Sequence, residues 1–292
     1  MQVARRVRRA CQNSIPEFTE QILPWGLPLR FQPRETIGAS IWRMGLYDLC
    51  VSEAIWRLLE PGEVALDVGA NIGHMTSIMA LRVGAAGSVL AFEPHPDVYR
   101  ELTDNIALWR ERSDLGRIVA HRAALSDGTG EAVLHVPGDF ESNHGTASLV
   151  PPDRGSGVDS RSCRVERLKL DIVLENVSSV GLMKLDVEGH EIEVLRGGVA
   201  SMKRKKIRDI VFEEHRDYPT PVTEWLEEYG YSIFRLAKHL FRLEVSPITK
   251  SARPTKYDAP NYVATQLPER ALRRLSGGGW QALICKSRRS DW

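Results

Sequence analysis

The pattern of apolar and polar residues along the middle of the chain predicts strands and helices in alternation. Apolar residues from Val51 to Leu59 recur at helical spacing and stop before Pro61, which predicts an amphipathic helix. Short apolar runs then predict buried strands at residues 64–68, 88–92, 117–121, 181–187, 207–213 and 231–234. Helical patterns lie between them, at about residues 73–83, 96–109, 190–202 and 222–228. This order is typical of an α/β fold with a mostly parallel sheet and helices on both faces.

The pattern is weaker at both ends of the chain. Residues 1–45 are rich in proline and show little periodicity, which predicts an N-terminal arm or helical cap. Residues 46–268 form the predicted main domain, with a last strand at 261–265, and residues 269–292 form a C-terminal tail. The length of 292 residues fits one large domain or one domain with additions.

One internal stretch also interrupts the alternation. Glycine, proline, serine and aspartate are frequent at residues 128–159, around a single predicted strand at 132–136. Long loops of this kind often carry substrate contacts, so we expect a substrate loop at about residues 137–160.

Composition and charge exclude several classes of protein. Hydrophobic residues make up 42% of the chain and charged residues 26%, values that exclude wholesale disorder and fibrous repeats. Thirty-nine basic and 38 acidic residues leave a net charge of +1, so no overall field attracts nucleic acid. The basic run at 203–208 follows a predicted helix and is interpreted as a solvated connection. We therefore expect no nucleic-acid partner.

The sequence also carries signals of location. No apolar run reaches the length of about 18 residues that a membrane span needs. Polar residues and Pro16 follow the basic N-terminus, where a signal peptide needs an apolar segment. The cysteines Cys11, Cys50, Cys163 and Cys285 form no Cys-x-x-Cys pair, which predicts neither a zinc site nor a disulfide framework. A cytoplasmic protein without a membrane span is the prediction.

The strongest chemical signal is the segment DVGANIG at residues 67–73, which leaves a predicted strand and opens a helix. It departs from the dinucleotide fingerprint G-x-G-x-x-G, because Asn71 and His74 stand where the second and third glycines belong. An acid at the strand end and a small-residue turn suit S-adenosylmethionine instead, and asparagine tolerates the positive φ of such a turn. The predicted cofactor contacts here are Asp67, Gly69, Ala70, Asn71 and Gly73.

Further polar residues follow the next two strands. Glu93, which precedes Pro94, lies about 20 residues beyond Gly73, the spacing at which an acid in this topology binds ribose hydroxyls. Ser126 and Asp127 come after the third strand, and we expect them to contact adenine. Together these residues are expected to lie along one edge of the sheet, where open α/β folds bind their ligands.

Five segments, in order, carry a family resemblance: LDVGANIG (66–73), AFEP (91–94), AALSD (123–127), MKLDVEGHE (183–191) and VLRGG (194–198). On these segments the chain resembles the FkbM-type family of S-adenosylmethionine-dependent methyltransferases over roughly residues 45–265. The Lys-x-Asp-x-Glu-Gly-x-Glu pattern within the fourth segment is the most particular to that family. Tyr47-Asp48 stands where the family tends to have Tyr-Glu.

The resemblance implies a Rossmann-like class I methyltransferase fold and transfer of a methyl group, usually to oxygen. It implies a small-molecule hydroxyl acceptor such as a sugar or a secondary metabolite, with S-adenosylhomocysteine as the second product. In such an in-line displacement the acceptor oxygen attacks the methyl carbon, so catalysis rests mainly on positioning and on a base that removes the hydroxyl proton.

Two residues are our candidates for that catalytic work. Asp186 ends a buried strand, so it is expected near the transferred methyl group, either as a positioning residue or as the general base. His215 follows the apolar end of another strand beside two glutamates and is the second candidate base. His144 and His190 are weaker candidates.

Glu188 and Glu191 raise a metal-binding alternative, because with Asp186 they offer several hard carboxylate oxygens to a divalent cation. Acids are also favoured at the start of a helix, and that interpretation is preferred here. We therefore predict no metal site.

Three other functions stay open at this stage. A nicotinamide-dependent oxidoreductase is disfavoured by Asn71 and His74. A partner subunit that binds S-adenosylmethionine without catalysis would keep the same pocket, and an RNA methyltransferase would need salt-dependent RNA affinity.

Overall fold

The computed structural model describes residues 15–138, 140–151, 161–248 and 260–284. Within these ranges the strands are β1 (Thr19–Ile22), β2 (Pro28–Phe31), β3 (Val64–Val68), β4 (Ser88–Phe92), β5 (Arg117–His121), β6 (Ala123–Ser126), β7 (Gly130–Val136), β8 (Arg161–Lys169), β9 (Val180–Leu185), β10 (Ile207–Glu213), β11 (Ser232–His239), β12 (Arg242–Pro247) and β13 (Asn261–Thr265). The α-helices are α1 (Thr36–Met44), α2 (Leu49–Leu58), α3 (His74–Val83), α4 (Pro96–Leu108), α5 (Leu170–Val173), α6 (Glu191–Arg196), α7 (Val199–Lys203), α8 (Pro221–Glu228) and α9 (Pro268–Leu275).

The central sheet of the described residues has the strand order β12-β11-β13-β10-β9-β3-β4-β5. Neighbours from β10 to β5 pair in parallel, whereas β13 runs antiparallel to both β10 and β11, and β12 runs antiparallel to β11. The direction in which the chain adds strands reverses between β3 and β9. Ligands of open α/β sheets bind at such a switch point, beyond the carboxyl ends of the strands. The predicted mostly parallel α/β sheet is confirmed.

Both faces of this sheet are buried under helices. Successive strand residues point to opposite faces, and accordingly Ala65, Leu182 and Val211 pack in one core cluster with residues of α2 and α3. Their neighbours Leu66, Met183 and Phe212 pack in a second cluster with residues of α6 and α8. This division accounts for the almost uniformly apolar strands in the sequence, which is typical of a sheet covered on both faces.

The interrupted stretch after β5 is more ordered than the sequence predicts. The described residues on either side of it form a three-stranded sheet in the order β6-β8-β7. β7 matches the single strand expected there. β8 gives no apolar signal because its sequence is polar, and it pairs with β6, which lies about forty residues earlier in the chain. Among the described residues of 128–159, β7 is thus the strand that the sequence predicts, and the flanking strands β6 and β8 are the ones it did not predict. Residues 139 and 152–160 of the predicted substrate loop lie outside the described residues.

The N-terminal region also differs from expectation. Its described part begins with the hairpin β1–β2, and α1 is the one helix before residue 45 in this part, so a helical cap is not shown. The arginines at 5–9, Cys11 and Cys285 lie outside the described residues. Along the part of the chain that the structure describes, no helix has the length and apolarity to cross a membrane.

The helix predicted over 190–202 is two short helices, α6 and α7, separated by Gly197-Gly198. A Cβ at Gly197 would lie 2.0 Å from the Ser126 carbonyl oxygen, so glycine lets this turn pack directly on β6. At the other end of the sheet α9, which the sequence pattern did not predict, packs against α2, with Arg57 donating to the Arg274 carbonyl oxygen at 3.1 Å.

Candidate active site

A cavity of about 330 Å³ lies at the carboxyl ends of the strands around the switch point. Its wall includes the turn after β3, the ends of β4, β9 and β10, the start of α2, and the segment 143–149, with further residues from α1, β6 and β7. Among the described residues that line it are Tyr47, Asp48, Gly69, Ala70, Asn71, Ile72, His74, Glu93, Pro94, His144, Lys184, Asp186, Glu188, His190, Glu213, His215 and Asn261.

The turn after β3 has the backbone conformation that its sequence predicts. Gly69 has φ 79°, and a Cβ there would lie 1.9 Å from the Asp186 carbonyl oxygen, so only glycine lets the turn lie against the end of β9. Asn71 has φ 49°, the positive value anticipated for it, and its Oδ1 accepts from the Ile72 amide at 2.7 Å. The amides of Gly69 and Ala70 both donate to the Phe92 carbonyl oxygen, which fixes the turn on β4.

Two residues that follow support this turn by packing. Gly73 has φ 92° at the start of α3, and a Cβ there would lie 2.8 Å from Leu102 Cδ1. His74 is buried, and its Nε2 accepts from the Tyr47 amide at 3.2 Å. Burial, together with the charge of Lys184, lowers the pKa of His74 to about 3. The imidazole is therefore neutral and joins the glycine turn to the segment that precedes α2.

Glu93 lines the cavity and is held by backbone amides. Its Oε2 accepts from the Asn71 amide at 3.0 Å and its Oε1 from the His95 amide at 2.9 Å. Burial raises the pKa of Glu93 to about 7 although both hydrogen bonds oppose the rise. A carboxylate offers about four acceptor positions, so these two bonds leave capacity for a ligand diol.

Four of the predicted cofactor residues stand outside the cavity lining: Gly73, described above, and Asp67, Ser126 and Asp127. Asp67 is fully buried behind it and accepts from Thr76 Oγ1 at 2.6 Å. Ser126 is buried against His190, with 2.9 Å between Ser126 Oγ and His190 Nε2, and Asp127 faces Arg167 at 3.9 Å. From β6 the residues that line the cavity are Ala123, Ala124 and Leu125.

Lys184 connects the two sides of the cavity. Its Nζ donates to the Gly69 carbonyl oxygen at 2.7 Å, lies 3.2 Å from Asp186 Oδ2 and lies 3.8 Å from Asp67 Oδ1. Burial disfavours its charge, but Asp186 and Asp67 outweigh this effect and raise the pKa of Lys184. From the sequence Lys184 is part of a family motif and a candidate partner for a neighbouring carboxylate, and the structure shows it as a buried cation shared between two carboxylates.

Carboxylates crowd the far side of the cavity. Because Phe212 pairs with Leu185, the residues that follow them, Glu213 and Asp186, leave adjacent strands side by side. Burial, with the charges of Asp186, Glu188 and Asp48 added, raises the pKa of Glu213 to about 8. Burial and Asp186 likewise raise the pKa of Glu188 to about 7. This part of the wall therefore binds protons near neutral pH.

The histidine candidates occupy different positions in the wall. His215 is 74% exposed at the cavity mouth, with Nε2 3.2 Å from Glu213 Oε1. His144 is buried against the ring of Phe140, and His190 contacts Ser126. The structure thus brings His215 and Asp186 to the same cavity, as their strand-end positions predict.

Glu191 forms local hydrogen bonds at the start of α6. Its Oε1 accepts from the Val187 amide at 3.1 Å and from the Gly189 amide at 3.2 Å. Both donors precede α6, so these bonds hold the loop between β9 and α6. Within the described ranges no group of three or more histidine, cysteine, aspartate or glutamate side chains has an arrangement suited to a metal ion.

The segment 143–149 covers the cavity and is held by the N-terminal region. Glu35 is 2% exposed; its Oε2 accepts from the Gly38 amide and so caps α1, and its Oε1 accepts from the His144 amide at 3.3 Å. Thr36 Oγ1 donates to the Ser142 carbonyl oxygen at 2.9 Å. We call residues 143–149 the roof segment.

Sequence reasoning missed several of these residues. Glu35 gives no sequence signal beyond its position before an amphipathic run, where a helix cap is expected. Asn261 begins β13 and donates to Asp48 Oδ2 at 2.7 Å, a contact between residues more than two hundred positions apart. Tyr47 and Asp48 were noted only through the family resemblance.

A comparison with protein families identifies the family of the residues that form this site. The model of the methyltransferase FkbM domain matches residues 67–233, more than half of the 292 residues. The chain belongs to the FkbM methyltransferase family. The matched region starts at the acid before the glycine turn and includes Glu93, Lys184, Asp186 and Glu213.

Curated relatives carry related names. A hexuronic acid methyltransferase, AglP, from Haloferax volcanii is 30% identical over 196 residues, which cover 65% of this chain and 72% of the relative. The 31-O-demethyl-FK506 methyltransferase FkbM from Streptomyces tacrolimicus is 29% identical over 185 residues, covering 54% of this chain and 67% of the relative.

A crystal structure of a methyltransferase FkbM from Methylobacillus flagellatus KT aligns with a TM-score of 0.43 at 17% identity. The alignment covers 69% of this chain and 43% of that chain. With the family established and the sheet order described, the chain is an S-adenosylmethionine-dependent methyltransferase with a class I fold.

Proposed function

We propose that this FkbM-family enzyme methylates a hydroxyl group of a small molecule, with S-adenosylmethionine as the donor. One observation carries the proposal: a single cavity joins the glycine turn and Glu93 to the carboxylates at the ends of β9 and β10. When bound, S-adenosylmethionine supplies a methyl group activated by its positively charged sulfur. The carboxylates across the cavity are suited to bind and deprotonate a hydroxyl.

The residues present fit this cofactor. Glu93 keeps acceptor capacity for the ribose diol beyond its two amide bonds, and Pro94 adjoins it in the wall. Gly69, Ala70 and Asn71 present small side chains and backbone to the cavity. The excess of carboxylates in the wall favours a ligand that carries an ammonium and a sulfonium charge.

The predicted cofactor residues outside the lining take supporting roles in this proposal. Asp67 holds Thr76 and faces Lys184, and Gly73 allows α3 to begin at the turn. Ser126 orients His190, and Asp127 pairs with Arg167 beside it.

The acceptor side supports a small hydroxyl compound. The cavity is covered by the roof segment, and its volume of about 330 Å³ is at the lower end for ligand pockets. The relatives named above are called methyltransferases of hexuronic acid and of 31-O-demethyl-FK506, both small molecules compared with RNA or protein. We carry over only the small size of the acceptor from both and the preference for oxygen from the second.

Asp186 acts as a positioning residue in this proposal, since Lys184 fixes it at 3.2 Å. Holding the hydroxyl in line with the methyl group supplies most of the rate enhancement that such a reaction needs. His215, exposed at the mouth, connects the wall to solvent.

The test is calorimetric titration of the full chain with S-adenosylmethionine and, separately, with NAD. We expect a Kd on the order of micromolar for the former alone, weakened roughly tenfold or more in Glu93→Ala. Glu131→Ala, on the exposed start of β7, is the matched control and should bind normally. Binding of NAD, or of neither ligand, would reject the proposal.

A second step separates enzyme from binding protein. Methyl transfer from S-adenosylmethionine labelled at the methyl group is measured with a panel of sugars and polyols, and the product is hydrolysed with base. A base-stable methyl ether supports O-methylation of a hydroxyl. Cofactor binding without transfer to any acceptor would favour the non-catalytic partner subunit.

A further inference from the structure

Asp186, the first candidate base, is already engaged by a cation. Lys184 Nζ lies 3.2 Å from its Oδ2 and is itself anchored to the Gly69 carbonyl oxygen. This contact occupies one of the two Asp186 carboxylate oxygens and holds the group in one orientation. The geometry therefore suits Asp186 for orientation more than for removal of a proton.

Glu213 lies beside Asp186 in the same wall without such a cation. It follows the register pair Phe212–Leu185 directly, so its carboxylate leaves the neighbouring strand at the same level. Among the described residues, its one ion-pair partner within 4.0 Å is the imidazole of His215. His215 is two residues further along the chain and reaches solvent. A half-buried carboxylate thus adjoins the cavity on one side and an exposed imidazole on the other.

We propose that Glu213 is the general base that takes the proton from the acceptor hydroxyl, and that His215 conveys this proton to solvent. The inference rests on the proposed function, because it concerns the same cavity and the same hydroxyl acceptor. It goes further by assigning the proton to a residue that sequence reasoning did not select.

The proton path balances without any further reactant. The acceptor oxygen forms a bond to the methyl carbon, whose bond to sulfur breaks with its electron pair remaining on sulfur. The hydroxyl proton passes to a Glu213 oxygen, and Glu213 returns to the carboxylate by giving a proton to His215 Nε2, 3.2 Å away. His215 then releases a proton to water, so one proton leaves for each methyl group transferred.

The surroundings of Glu213 make it a stronger base than an ordinary glutamate. The charged and titratable groups that act on it are Asp48 and Tyr47 before α2, Lys184, Asp186 and Glu188 at the end of β9, and His215. Burial and the three neighbouring carboxylates raise the pKa of Glu213 to about 8, against the opposing charge of Lys184. A base whose pKa is near the working pH is the efficient one.

The kinetic test compares Glu213→Gln with Glu244→Gln, which changes an exposed glutamate on the edge strand β12. General-base catalysis is typically worth about 10²- to 10⁴-fold, so kcat should fall by that much in Glu213→Gln and be unchanged in Glu244→Gln. The affinity for S-adenosylmethionine, measured by calorimetry, should stay within about twofold. A Glu213→Gln enzyme with more than about a third of the wild-type kcat would overturn the proposal.

The pH profile separates a base from a structural residue. Only the carboxylate form of Glu213 accepts the proton, so kcat should rise as the pH increases through about 8. In the Glu213→Gln enzyme kcat should no longer rise with pH in this range. The Asp186→Asn enzyme should be slower, but its kcat should still rise with pH. His215→Gln should lose less activity than Glu213→Gln and regain it with added imidazole buffer. A rise that persists in Glu213→Gln and disappears in Asp186→Asn would assign the base to Asp186 instead.

A readout independent of turnover keeps this inference distinct from the proposed function. Glutamate labelled with ¹³C at the carboxyl carbon allows an NMR titration of the full chain, with Glu213→Gln identifying the signal. We expect a midpoint near 8 for Glu213, shifted downward in Asp186→Asn because one repelling charge is removed. A midpoint at the ordinary glutamate value would overturn the assignment, even if no acceptor in the panel were methylated.

Discussion

The two sides of the cavity satisfy their polar groups in different ways. On the glycine-turn side, defined by residues 69–72 and Glu93, the carboxylate accepts two amide hydrogen bonds from residues within about twenty positions of it. On the carboxylate side, defined by Asp48, Glu188 and Glu213, the acids come from distant parts of the chain and repel one another. The first side is preorganised by its own backbone. The second stores unfavourable charge, which suits a surface that changes protonation during its work.

The difference separates binding from chemistry in physical terms. A side that is rigid and internally hydrogen-bonded recognises a ligand without rearranging. Crowded carboxylates cost stability and are retained where a shifted pKa is useful. Four changes test whether one side serves binding and the other serves chemistry. They follow from the largest expected effect to the smallest.

Replacing Lys184, which joins the two sides, should have the largest effect. Lys184→Met leaves the fully buried Asp67 without its cation, and breaking a buried ion pair costs about 3–5 kcal/mol. The free energy of unfolding in urea measures the loss. Lys238→Met, at an exposed position of β11, is the control. Adding Asp67→Asn to Lys184→Met should recover part of the loss; if it does not, the cation is not what stabilises Asp67.

A methyl group at Gly69 should damage the glycine-turn side next most strongly. The positive φ alone costs alanine about 1–2 kcal/mol, and contact with the Asp186 carbonyl oxygen adds about 1–3 kcal/mol of overpacking. Gly62→Ala has a similar φ of 85° with open space around it, so it isolates the first of these costs. Equal unfolding free energies for the two variants would show that the close approach to β9 carries no energetic weight.

The pH dependence of cofactor affinity should show the charge of Glu93. Its pKa of about 7 means that the carboxylate is lost as pH falls through 7, so the Kd should rise below that pH. The limit is about tenfold per pH unit for one proton. Titrations at pH 6, 7 and 8 measure this effect, and Glu93→Gln should flatten it. If the Kd of Glu93→Gln still depended on pH, the titrating group would be a carboxylate on the opposite side of the cavity.

The same shift has a consequence for stability. The pKa of Glu93 in the folded state lies above its unfolded value, so folding takes up a proton between about pH 4.5 and 7. The contribution of Glu93 to stability is therefore fully present below that window and is lost as pH rises through it. Glu93→Gln should reduce the pH dependence of the Tm in this range.

Loosening the roof segment should have the smallest effect. Glu35→Ala removes the cap of α1 and the acceptor of the His144 amide, at a cost of about 1 kcal/mol. We expect the KM for the acceptor to rise by up to about fivefold, with the Kd for the cofactor unchanged. Thr220→Ala removes the cap of α8 and should lose similar stability with no change in KM. Equal KM values for the two variants would show that the roof segment does not contribute to acceptor binding.

The same division explains what the sequence could predict. The positive φ of Asn71 and the position of Glu93 follow from neighbouring residues, so periodicity and spacing were sufficient to find them. The roof segment and the bond from Asn261 to Asp48 depend on tertiary contacts that leave no periodic trace. The break in the helix at Gly197 has the same origin, because the Ser126 carbonyl oxygen that it packs against lies some seventy residues earlier.

The place of β13 has a consequence for the order in which the molecule assembles during synthesis. This strand is among the last described parts of the chain, yet it fills the gap between β10 and β11 and places Asn261 against Asp48. A nascent chain that has not yet released residue 261 from the ribosome would expose two facing strand edges, and its cavity wall would be incomplete.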